Sequence, residues 1–81
     1  METEQVKRKA QVFFEKKIPV HIVTNSDSWI NGFITYLGSD FIMILDRIDK
    51  QEIPVFFIDI HIFETFEGDY NSLPKPTEGS K

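Results

Sequence analysis

No cysteine occurs in the 81 residues. That excludes a disulfide staple and a zinc–thiolate centre together, and nothing supports a small secreted scaffold held by cross-links. Histidine is nearly as scarce, and His21 and His61 are too few for a histidine-rich metal cage. No apolar run approaches the roughly 18 residues of a membrane-spanning helix. The first fifteen residues are too charged for a secretory signal. The chain is expected to be cytoplasmic, with no cofactor and no metal.

A chain this short is one domain, and it buries only about 60–65% of the surface its unfolded form exposes. With disulfides and metals excluded, oligomerisation is the remaining way to complete so small a core. What the chain has in excess is bulk: eight Phe, one Trp and two Tyr, crowded into its middle. A barrel of about five strands cannot enclose all of these, so some are expected at a subunit interface. Charge is unevenly spread. Residues 1–17 set Lys7, Arg8, Lys9, Lys16 and Lys17 against three glutamates, a balance of +2. Residues 18–66 set Arg47 and Lys50 against seven carboxylates, a balance of −5. Cationic surface is therefore concentrated at the start of the chain.

Val6, Ala10, Phe13 and Phe14 share one helical face, which predicts a helix over 3–16. Thr3 suits its cap, and Pro19 disfavours helical geometry at Ile18. β-Branched and alternating residues then predict strands over 19–24, 29–37, 41–48, 53–58 and 61–66. Turn clusters separate the first four, at Asn25–Ser28, Gly38–Asp40 and Asp49–Gln51, and Asp59-Ile60 makes a very short break before the fifth. Gly32, inside the second strand, marks a bulge or sharp bend. Pro54 places the fourth strand on an edge, or marks a strand start, because proline cannot donate to the ladder. From Glu67 onwards the apolar pattern gives way to a flexible tail, 67–81. The fold class is mostly β: a helix followed by a five-stranded, strongly bent antiparallel barrel within a single domain, 1–66.

This order resembles the Sm-like family, which includes the Sm and LSm proteins and bacterial Hfq. The run Gly32-Phe33-Ile34-Thr35-Tyr36-Leu37-Gly38-Ser39-Asp40-Phe41-Ile42-Met43-Ile44-Leu45-Asp46 follows the first Sm motif without a gap. Ile18-Pro19-Val20-His21-Ile22 looks like the entry to the first strand of Hfq-type members. The resemblance covers residues 4–66. It departs at Gly38, where the motif has Asp, at Ile42, where it has a base-contacting Asn, and at Asp59, where the second motif has Arg or Lys.

The resemblance implies a homo-oligomeric ring of roughly five to seven subunits, closed by pairing the fourth strand of one copy with the fifth of the next. Val55, Phe56, Phe57, Ile58, Ile62 and Phe63 are the expected interface residues. A long apolar edge strand is also an aggregation hazard unless something pairs with it. The implied partner is single-stranded RNA or DNA, met by Ser39, Asp40 and Phe41 after the second strand and by Asp59 and His61 before the fifth. Phe41 either stacks on a base or belongs to the core. His61 either contacts a base or is a structural strand histidine. Lys7, Arg8, Lys9, Lys16 and Lys17 either contact phosphates as a basic collar or form an ordinary solvated face. Asp59, His61 and Glu64 are the acid–histidine cluster, but no nucleophile, phosphate loop or metal-ligand spacing accompanies them, so no enzyme is expected. The second functional reading is a protein-interaction or structural module without base-specific binding, favoured by the acidic barrel.

Overall fold

The structure, a computed structural model, describes residues 3–75 apart from the side chain of Tyr70. It opens with α1 (Thr3–Glu15), whose Val6, Ala10 and Phe13 are buried. Phe14 falls outside this stripe and is exposed. Thr3 is itself helical, so it is not the cap residue before the helix. The helix ends in paired bonds: the Ile18 amide donates to the Phe13 carbonyl (2.9 Å) and the Lys17 amide to that of Phe14 (3.3 Å). This closure requires a left-handed residue between them, and Lys17 takes that role with φ 56°.

Five strands follow: β1 (Val20–Thr24), β2 (Trp29–Leu37), β3 (Phe41–Asp46), β4 (Glu52–Phe56) and β5 (Ile60–Thr65). They form one antiparallel sheet in the order β4-β3-β2-β1-β5, so β4 and β5 are its two edges. β2 passes from one partner to the other at Gly32, which faces Val20 on β1 and Asp46 on β3. A Cβ there would overlap the Leu45 carbonyl oxygen, so the crossing needs glycine. The expected bulge lies elsewhere, at Thr35, where the register shifts between Ile34 and Tyr36.

The core gathers Val6, Ala10 and Phe13 from α1 with Ile22, Ile34, Ile44, Phe57 and Phe63 from the sheet side. Each of these side chains other than Ala10 contributes about 1.5–3 kcal/mol by leaving water. Phe13 meets Phe63 edge to face at 5.3 Å, which seats the helix on the sheet.

β3 stops at Asp46 rather than 48. The Asp46 carboxylate, buried, accepts the amides of Ile48 and Asp49 (2.9 Å each) and so folds the turn back into β4. β4 likewise ends at Phe56, and Phe57–Asp59 coil into a 3-10 turn. Long-range bonds hold that turn: Phe57 donates to the Asp40 carbonyl (3.0 Å), and Asn25 donates to the carbonyls of Asp59 (2.8 Å) and, through its side chain, Ile58 (3.1 Å). Beyond β5 the chain makes a 3-10 turn at Tyr70–Ser72 and buries Leu73. The Lys75 ammonium lies 5.8 Å from the centre of the Phe33 ring. Of the expected tail, residues 76–81 lie outside the described residues.

Candidate nucleic-acid interface

The two loops singled out in the sequence are joined in space. The bond from the Phe57 amide to the Asp40 carbonyl ties the β2–β3 loop to the turn between β4 and β5. Ser39, Asp40 and Asp59 are exposed on these loops. His61 is exposed on β5 beside the register shift near its start, where it faces no residue of β1.

Phe41 is half-buried and takes no part in the core cluster. Its ring lies between those of Tyr36 and Phe56, at centroid distances of 5.8 and 5.7 Å. Gly38 makes room for it, since a Cβ there would come within 2.6 Å of the Phe41 ring. The Gly38 amide also donates to the Phe41 carbonyl (2.8 Å) and closes the loop.

The cations of α1 divide. Arg8, Lys16 and Lys17 are exposed and Lys7 is half-buried. Lys9 does not belong to a solvated face. Its ammonium donates to the Phe63 carbonyl at 2.6 Å and sits 5.9 Å from that ring's centre. It therefore ties the helix to β5.

The expected interface residues also divide, because alternate strand residues face opposite sides. Val55, Phe57 and Phe63 are core residues of the single chain and cannot offer their side chains to a neighbour. Ile58 leaves the strand for the 3-10 turn and is 77% exposed. Phe56 and Ile62 remain on the two edges with exposed side chains.

Backbone groups at those edges follow from the ladders, in which bonded and non-bonded pairs alternate. Asp46 donates to the Gln51 carbonyl, so Glu52, Pro54 and Phe56 direct their backbone groups away from β3. Proline, which lacks an amide, therefore costs the β3–β4 ladder nothing. Phe66 donates to the Pro19 carbonyl, so Phe63 and Thr65 direct theirs away from β1. The acceptor that Lys9 reaches is one of these edge carbonyls. A groove of about 430 Å³ is lined by Pro54, Val55 and Phe56 of β4 together with Thr24, Asn25 and Ser28.

One outward feature had no signal in the sequence beyond its residue types. Trp29 is 69% exposed and meets His21 edge to face at 5.6 Å, while His21 Nδ1 and Asn31 Oδ1 lie 2.6 Å apart. Among the described residues, no three His, Asp or Glu side chains are placed to hold a metal ion, Asp59, His61 and Glu64 included. No helix among them is long and apolar enough to cross a membrane.

No known family model matches the chain, and no curated protein matches its sequence. The fold does have a counterpart among solved structures. The crystal structure of an Hfq protein from Anabaena sp. superposes with a TM-score of 0.60 over 73% of this chain and 92% of that one, at 19% sequence identity. The chain thus has the Sm-like fold: an N-terminal helix followed by five antiparallel strands in one sheet.

Proposed function

We propose that this chain assembles into a closed ring and binds single-stranded RNA or DNA, without catalysis. The observation that carries the reading is the pair of open edges on a fold shared with Hfq. β4 presents Glu52, Pro54 and Phe56 along one free edge, and β5 presents Phe63 and Thr65 along the other. Pairing β4 of one copy with β5 of the next removes both edges at every subunit, and a heterologous contact that returns on itself closes the ring. The missing amide of Pro54 and the occupied carbonyl of Phe63 confine that pairing to few bonds. Phe56 is its natural centre, having both backbone groups free of β3.

In this assembly the Ser39–Phe41 loop and the Phe57–Asp59 turn form one nucleic-acid surface, with Phe41 as a stacking platform. Base–aromatic stacking is worth about 1–3 kcal/mol per base and needs no sequence readout. Arg8, Lys16 and Lys17, repeated around the ring, supply phosphate contacts from the helix side. Fluorescence anisotropy with labelled oligo-U and oligo-A at two salt concentrations tests the reading, and binding that weakens with salt is expected. An absence of binding at low salt overturns it. That outcome favours the second reading, a protein-interaction ring, which the exposed carboxylates of Asp40 and Asp59 support.

A further inference from the structure

Two backbone devices set three aromatic rings in a row on the outer face of β2, β3 and β4. Phe41 and Phe56 face each other across the β3–β4 ladder as a non-hydrogen-bonded pair, the kind whose side chains approach most closely. Tyr36 joins them because of the bulge at Thr35. Strict alternation from the buried Ile34 would turn Tyr36 into the core, and the extra residue turns it outward and returns Leu37 to the core instead. Tyr36 is 54% exposed and Phe56 45%, so both rings lie open to solvent.

Resting on the single-strand reading above, we infer that Tyr36 and Phe56 are stacking residues flanking Phe41, so that the site takes a run of up to three consecutive bases. The geometry selects an unpaired strand. Successive ring planes are inclined by 35° and 40°, and their centres are 5.7–5.8 Å apart. Duplex bases lie parallel at about 3.4 Å and cover one another's faces, so they cannot fit such a fan. Splayed bases of a single strand can, and every base has a face to offer. Asp40, next to Phe41 in the loop, is acidic and exposed, so this part of the surface engages bases rather than phosphates. In the ring, a strand paired along β4 would lie beside the Phe56 ring rather than over it, because pairing uses backbone groups in the plane of the sheet while the ring stands out from it.

The test is anisotropy with a fluorescein-labelled 12-nucleotide oligo-U on the full chain and on Tyr36→Leu, Tyr36→Phe and Phe56→Leu. Tyr36→Leu and Phe56→Leu are each expected to weaken binding roughly 5- to 150-fold, the value of one stacked base. Tyr36→Phe should retain it, and the salt dependence should keep its slope because every phosphate keeps its cation. An unlabelled 12-base-pair duplex should fail to compete. Ultraviolet cross-linking of a 5-iodouridine oligonucleotide to the unaltered protein should label Tyr36 or Phe56, which keeps the test independent of how the variants fold. If the unaltered chain binds but both leucine variants bind equally well, or if the duplex competes equally, this inference is overturned and the single-strand reading stands. If the unaltered chain does not bind the oligonucleotide, the reading beneath it fails as well.

Discussion

Phe56 and Phe57 are neighbours in the chain, yet Phe56 lies 45% exposed on the outer face of the sheet and Phe57 only 2% exposed within the core. The same division runs through the molecule. Phe13, Phe57 and Phe63 hold the inside together, while Tyr36, Phe41, Phe56 and Trp29 lie outside it. Tyr36 and Trp29 carry polar groups, but nothing in their chemistry distinguishes Phe41 and Phe56 from the three phenylalanines inside. Position in the pleat, one bulge and one 3-10 turn decide which rings stabilise the fold and which remain available to a ligand. The cations divide in the same way, with Lys9 committed to the fold and Arg8, one residue earlier, left to solvent.

The largest effect that would test this division is Phe57→Ala. Emptying a buried aromatic site is expected to cost about 3–5 kcal/mol, much of the stability of a small domain. Phe56→Ala should cost about 1 kcal/mol or less. Urea denaturation of the two variants measures the contrast, and equal losses would erase it.

Next comes Lys9→Met. It removes a charged hydrogen bond to an edge carbonyl and should cost about 1.5–3 kcal/mol by the same measurement. Arg8→Met should leave stability nearly unchanged but lower the slope of log affinity against log salt by about 0.7 for each single-strand phosphate left without its cation. A variant pair with these roles exchanged would break the comparison between the two cations.

The smallest effect is a gain. Lys17 holds a left-handed conformation that glycine adopts without steric cost, so Lys17→Gly should raise stability by about 0.5–1 kcal/mol. The same change removes one cation from the helix side. A more stable protein with a shallower salt dependence would show both roles of this residue at once.

Much of this is legible in the sequence, and the misses have physical causes. The apolar spacing of Val6, Ala10 and Phe13 and the stop before Pro19 mark the helix to within a residue of its observed end. The turn clusters at Asn25–Ser28 and Gly38–Asp40 mark β2 over the range observed. Gly32 advertises an irregularity, but the close approach of the Leu45 carbonyl, not a bulge, is what it serves. The bulge at Thr35 carries no compositional signal, so nothing in the sequence foretells the outward turn of Tyr36. Val55-Phe56-Phe57-Ile58 is an unbroken apolar run, and its division depends on bonds to Asp40 and Asn25, remote in sequence. For that reason half of the expected interface side chains prove to be core. Lys9 looks like every other lysine of α1 until the fold brings Phe63 beside it. Phe41 stands open between core and surface in the sequence, and its place in the ring row lies outside the core cluster.

The sheet of the single chain leaves β4 and β5 as edges, which the proposed ring would pair. Light scattering at micromolar concentration, with size-exclusion separation, tests this most directly. A single species of roughly five to seven times the chain mass is expected, and a monomer at that concentration would contradict the ring.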